Sequence, residues 1–266
     1  MCERRYFSIE EIMLNNIQNL RGFTVSASDG EAGAIRDVYF DDEKWIIRHL
    51  VVETGGWFSG RNVLISPFSV LGVDWPAERI HLNLTKEQIR NGPDIDIDKP
   101  VSRQHEAAVH DHYGYPYYWA GPYVWGYSAY PTLLADRAAE YAHDNAIGES
   151  IKQEREQGNP HLRSGREVVG YEIQATDDTV GHVEDFLFDD RDWSIQLMVV
   201  DTRNWWPGKD VLISPKRIDR ISWENRQIIV NITREEVERS PEYDPAYPPP
   251  IGPQNEIYRR FGMPPR

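Results

Sequence analysis

The residues whose chemistry would show first are histidines, and four polar side chains crowd one stretch: His105, His110, Asp111 and His112. Imidazole nitrogens with a carboxylate are a donor set that suits zinc or copper. No cysteine accompanies them, and they read as surface polar residues ahead of an aromatic loop. Asp94, Asp96 and Asp98 alternate like half a calcium loop, but the glycine and closing glutamate of an EF-hand are missing, so an acidic, solvated linker is expected. Asp41-Asp42 and Asp189-Asp190 are carboxylate pairs of the kind that share acid–base work. Lying between two strands, they fit turns instead, where aspartate bonds nearby backbone amides. Ser66 and Ser214 precede prolines and lack a G-x-S-x-G elbow, and no Walker or G-x-G-x-x-G loop appears. The expectation is a protein that is not an enzyme, with no catalytic, cofactor-binding or metal-binding residues and no cofactor.

The chain says nearly the same thing twice. Residues 22–67 and 170–215 align without a gap at an offset of 148, with 20 identities in 46 positions. Gly33 and Gly181, Asp37 and Asp185, Phe40-Asp41-Asp42 and Phe188-Asp189-Asp190, and Trp45 and Trp193 all correspond, and both copies close on Val-Leu-Ile-Ser-Pro. Each copy of such a repeat reads as one structural unit. The histidine stretch has no counterpart, since the offset brings Pro253, Tyr258, Arg259 and Arg260 to its positions. Residues kept in both copies are expected to serve the fold or a surface used twice.

Composition narrows the classes further. The single cysteine, Cys2, excludes an intramolecular disulfide and fits a reducing cytoplasm. No signal peptide and no apolar run long enough to span a bilayer are read in the chain. The net charge is −14, with 13 acidic and 7 basic residues in 22–98 and 17 acidic and 9 basic in 170–246. Two acidic units oppose attraction to phosphate backbones, so no nucleic-acid partner is expected.

The elements that would position these residues are mostly strands. Phe23–Val25, Ala34–Asp41, Trp45–Thr54, Val63–Ile65, Phe68–Val73 and Arg79–Leu84 read as strands between turn residues, and the second unit repeats them. Thr85-Lys86-Glu87-Gln88 and Thr233-Arg234-Glu235-Glu236 have the form of a capping box, each opening a short helix that Pro93 or Pro241 ends. Ser8-Ile9-Glu10-Glu11 suggests another helix over Ile12–Leu14. Residues 112–131 are dense in Tyr, Trp, Gly and Pro, and 133–157 read as a broken helix. The expected layout is a helical lead over 1–21, a barrel over 22–98, an aromatic and helical linker over 99–169, a second barrel over 170–246, and a Pro-rich tail over 247–266.

The glycine turn, the F-D-D turn into a Trp-led strand, the glycine-flanked aromatic tip and the closing L-I-S-P strand resemble the PRC-barrel family. That family includes the cytoplasmic part of the photosynthetic reaction-centre H subunit and the C-terminal domain of the ribosome-maturation factor RimM. The resemblance implies a mainly β fold of two small antiparallel barrels in tandem, used as protein-interaction or scaffold modules with no catalytic residues to carry over. It also implies two alternatives: an H-subunit-like role in photosynthetic assembly, and a RimM-like association with ribosomes or RNA.

The candidate interaction residues are Trp57, Phe58 and Arg61 in the first unit and Trp205, Trp206 and Lys209 at the matching place in the second. Large aromatics in a loop are typical interface anchors. The same tips would equally cover their own barrels or cement the barrels into a pseudo-twofold pair, as an isologous dimer does. The partner expected is an unidentified protein, with barrel–barrel pairing or a homo-oligomer also allowed.

Overall fold

Turn residues divide the chain into short strands whose order is the same in both units. The computed structural model describes residues 12–55, 60–97, 101–133, 162–202, 210–246 and 250–251. A lead-in, β1 (Ile12–Met13) and β2 (Asn15–Asn16), precedes β3 (Thr24–Ala27), β4 (Gly30–Asp41), β5 (Ile46–Thr54), β6 (Arg61–Ile65), β7 (Val70–Asp74), β8 (Arg79–Leu82) and helix α1 (Lys86–Arg90). Helix α2 (Arg103–Tyr113) follows. The second unit has a lead-in of β9 (Leu162–Ser164) and α3 (Gly165–Val168), and then β10 (Glu172–Gln174), β11 (Thr179–Asp189), β12 (Ser194–Asp201), β13 (Asp210–Ile213), β14 (Ile218–Ser222), β15 (Gln227–Val230) and α4 (Arg234–Glu238). A last strand, β16 (Pro250–Ile251), pairs antiparallel with β1.

The sheet order is β7-β8-β3-β4-β5-β6 in one unit and β14-β15-β10-β11-β12-β13 in the other. Neighbours are antiparallel except β3–β8 and β10–β15, which run parallel. β6 and β7 stand at opposite ends of this order, yet only residues 66–69 separate them. Six flat strands would put the ends about 24 Å apart, whereas five residue steps reach at most about 18 Å. Each sheet must therefore curl into a barrel, although no β6–β7 ladder closes the ring among the described residues.

Local chemistry sets the boundaries. Ser66 accepts from the Phe68 amide at 3.5 Å and Pro67 opens a 3-10 turn over Pro67–Ser69, so the strand expected from Phe68 begins only at Val70. Ser214 does the same for Lys216 at 3.4 Å. Both serines are thus occupied in turns. The capping boxes form as expected: Gln88 N donates to Thr85 Oγ1 at 3.2 Å and Thr85 N to Gln88 Oε1 at 2.9 Å, and Thr233 and Glu236 repeat the pair. The helix expected over Ile12–Leu14 is absent, because Ile12 and Met13 form a ladder with Pro250 and Ile251. Ser8–Glu11 and the helix expected over 133–157 lie outside the described residues, apart from Leu133.

The barrel interiors share one apolar core. Val25, Val38, Phe40, Leu50, Ile80 and Ile89 fill the first, and Ile173, Phe186, Phe188, Met198 and Ile228 the second. β5 is buried along Ile46–Val52 on both faces, because α2 covers its outer side: Tyr39, Val51 and Leu64 pack with Val101 and Val109. That double burial explains its continuous apolar run. Gly33 (φ 152°) and Gly181 (φ 137°) sit where β4 and β11 pass closest to the carbonyls of Glu53 and Asp201. A methyl group would overlap those carbonyls, so Gly33→Ala or Gly181→Ala is expected to cost about 2 kcal/mol or more. A thermal melt with no downward shift would contradict this.

Candidate functional site

Of the candidate interaction residues, Trp57, Phe58, Trp205, Trp206 and Lys209 lie outside the described residues. Arg61 is placed at the start of β6, with its guanidinium donating to the carbonyls of Arg90 (2.9 Å) and Gly92 (3.2 Å) and standing 3.8 Å from Asp94. A cation on the last carbonyls of α1 complements the helix dipole, so this side chain ties β6 to the end of its own helix.

The cement between the barrels is made of other residues. Ile47 N donates to the Trp193 carbonyl at 2.8 Å, and Ile195 N to the Trp45 carbonyl at 2.7 Å. These bonds are equivalent under the 148-residue offset, as is the Ile46–Ser194 pairing that joins β5 to β12. Trp45 (φ 57°) and Trp193 (φ 62°) both hold the left-handed backbone that turns their carbonyls towards the other barrel. That conformation costs a non-glycine residue about 1–2 kcal/mol. Ring packing offsets it: Trp45 stacks on Phe40 at 5.6 Å and reaches Phe186 at 6.0 Å, while Trp193 lies 5.5 Å from Phe188.

The lead-ins change places across this joint. β2 pairs with β11 of the second barrel and β9 with β4 of the first, at equivalent registers (Asn16–Leu187 and Ser164–Tyr39). Asp37 accepts from Ser164 Oγ at 2.5 Å and the Arg166 amide at 3.0 Å, and Asp185 from Asn16 Nδ2 at 2.9 Å and the Gln18 amide at 3.3 Å. Burial raises both carboxyls despite these donors, Asp185 to about 6. Asp41 and Asp189 accept turn amides (Glu43 and Lys44; Arg191). Asp42 accepts from Arg163 at 2.5 Å and Asp190 from Trp75 Nε1 at 2.8 Å, each across the joint. The carboxylate pairs are turn and joint residues.

Ionisable groups converge elsewhere, between the first barrel and α2. Glu106 on α2 accepts from Tyr118 Oη at 2.5 Å, lies 3.2 Å from Arg103 and meets His49 Nε2 on β5 at 3.4 Å. Arg48 is 2% exposed, binds Asp41 at 2.9 Å, donates to the Val124 carbonyl and lies 3.9 Å from the Tyr118 ring centre. His110 is fully buried among Phe68, Tyr115, Tyr118 and Trp119, with Nδ1 2.8 Å from the Pro116 carbonyl. Glu106 is held below the usual carboxylate range: burial pushes it up, but the His49 hydrogen bond and the Arg103 charge outweigh that. Trp125, from the loop after α2, donates to the Asp192 carbonyl of the second barrel at 2.9 Å. The aromatic stretch thus closes over the first barrel and reaches the second.

Of the four residues expected at the surface, Asp111 and His112 are exposed and His105 is partly buried, whereas His110 is buried and corrects the expectation. Glu106 and His110 point inwards from a helix that the sequence reading missed, capped by Ser102 on the His105 amide (3.2 Å) and by Gly114 at φ 70°. Ser102, the apolar positions Val101, Val109 and Tyr113, and Gly114 carried a start, a stripe and a stop signal for that helix. His105, His110, Asp111 and His112 do not converge: Asp111 pairs with Tyr117, and His112 lies against the Gln88 carbonyl at 3.1 Å. Among the described residues no group of three His, Cys, Asp or Glu could hold a metal ion.

The PRC-barrel domain model matches the chain twice, over residues 14–89 and 160–237, together more than half its length. The chain belongs to the PRC-barrel family. No curated protein matches it. Both PRC-barrel matches begin at the lead-ins, so each stretch of family sequence includes a segment that lies on the other PRC-barrel. Among the described residues no helix is long and apolar enough to cross a membrane.

Proposed function

We propose that this protein is a non-enzymatic interaction module, a rigid pair of PRC-barrels that presents an aromatic edge to a protein partner. The observation that carries the reading is the loop after α2. Arg48 holds its Val124 carbonyl and Asp192 its Trp125 ring nitrogen, yet Tyr123, Tyr130 and Leu133 are 60%, 45% and 38% exposed. Tyrosine is enriched at protein interfaces, and a loop already ordered loses little entropy on binding. The convergence of His49, Glu106, His110 and Arg48 supports a structural reading, since these side chains are 0–3% exposed. The acidic units and single cysteine support a cytoplasmic setting without nucleic acid.

The test is affinity purification from the native host with the full chain and its Tyr123→Ser/Tyr130→Ser variant. Exposed substitutions of this kind leave stability within about 1 kcal/mol. A specific protein retained by the wild type and lost by the variant is expected. Equal recovery with both chains would remove the loop as the docking edge. Pigment–protein complexes or ribosomal proteins in the eluate would redirect the reading to the H-subunit-like or RimM-like role.

A further inference from the structure

We infer that α2 and the aromatic loop form an acid-released latch over the first barrel, with His110 as its proton-sensing group. The geometry is specific to one imidazole. A carbonyl only accepts, so the 2.8 Å contact with Pro116 fixes the proton on Nδ1 and leaves a lone pair on Nε2. That nitrogen is buried and has no hydrogen-bond partner among the described residues. Charging the ring would bury a cation with one donor unsatisfied, which is costly. Released from the barrel, the same ring would meet water.

The latch also carries an unusual share of polar atoms without partners. Among the described residues, His49 Nδ1, His105 Nε2, His110 Nε2, Tyr113 Oη and Trp119 Nε1 are buried without a hydrogen-bond partner, all within α2, its loop and the strand beneath. Each such atom lowers the stability of the closed state relative to a hydrated, open one. The titratable and charged groups facing His110 are His49 on β5, Arg103 and Glu106 on α2, and Tyr115, Tyr117 and Tyr118 on the loop. Burial first, then His49 and Arg103, depress the His110 pKa to about 3, against the pull of Glu106 and the Pro116 carbonyl. His105, half-buried, is also lowered. Glu106 is held below the usual carboxylate range, so its own linkage has the same sign as that of His110 and lies at lower pH.

The sign follows from linkage. The closed state takes up its His110 proton near pH 3 and the open state near about 6.5, so the open state binds more protons between these values. Falling pH therefore favours opening, by about 25-fold from pH 7 to pH 5. Opening uncovers Phe68, Ser69 and the charged head of Arg48.

Amide hydrogen exchange of the full chain, corrected for intrinsic rates, tests this. The opening constant of residues 105–113 is expected to rise about 25-fold between pH 7 and pH 5, while β12 changes less than about twofold. His110→Asn keeps a donor for Pro116 without titrating, and His110→Phe fills the aromatic site if Asn fails to fold. In either variant the rise should fall to a few-fold. A constant opening equilibrium in the wild type, or an undiminished rise in the variants, overturns the inference.

Discussion

Arg48→Met is expected to lower the unfolding free energy by about 3–5 kcal/mol, the range for breaking a buried ion pair from one side. The guanidinium is 2% exposed and bonds a carboxylate and a loop carbonyl at once. It binds Asp41 through two nitrogens (2.9 and 3.3 Å), donates to the Val124 carbonyl, and sits 3.9 Å and 5.0 Å from the ring centres of Tyr118 and Trp125. Methionine would keep the stem's packing but leave the Asp41 carboxylate, among the described residues, with the Glu43 and Lys44 amides alone. The loop carbonyl would lose its charged donor. The repeat supplies a control, since Gln196 holds the equivalent position in the second barrel and is only partly buried. Gln196→Met should cost less than about 1 kcal/mol. Urea unfolding measures both, and equal losses would show that Arg48 acts as ordinary packing.

Trp193→Ala is expected to cost about 3–5 kcal/mol as well, through a different mechanism. The indole is 2% exposed and packs beside Phe188 in the shared core. Alanine would leave a cavity while keeping the left-handed backbone at φ 62° that the indole holds in place. The Trp193 carbonyl would then hold Ile47 N less firmly, and exchange at the joint should quicken on both sides. Trp45→Ala should cost less, because Trp45 is only partly buried. Unfolding curves for the two variants decide the order; a larger loss at Trp45 would contradict the asymmetry.

Much of the fold was legible because local signals and the repeat agreed. The F-D-D turns, the capping boxes at Thr85 and Thr233, and the close-packed Gly33 and Gly181 each occur twice at one spacing. The joint was not legible. Identical residues at positions such as Asp37 and Asp185 fit equally well with partners in their own unit or in the other, and sequence spacing cannot distinguish the two. Aromatic tips attracted the assignment of cement, while Trp45 and Trp193 looked like ordinary first residues of strands. The α2 latch was hidden differently. Its buried face carries Glu106 and His110, polar types that interrupt a hydrophobic stripe and only make sense once His49, Tyr118 and the Pro116 carbonyl are beside them.

The exchanged lead-ins have a consequence for heredity and for expression. A gene fragment ending before residue 160 would encode the first barrel without the strand that lies on it, leaving the Asp37 carboxyl without the Ser164 hydroxyl. It would also encode Asn15–Gln18, whose hydrogen-bond partners are on the absent half. Each half alone would lack the lead-in strand that the other half lays on it.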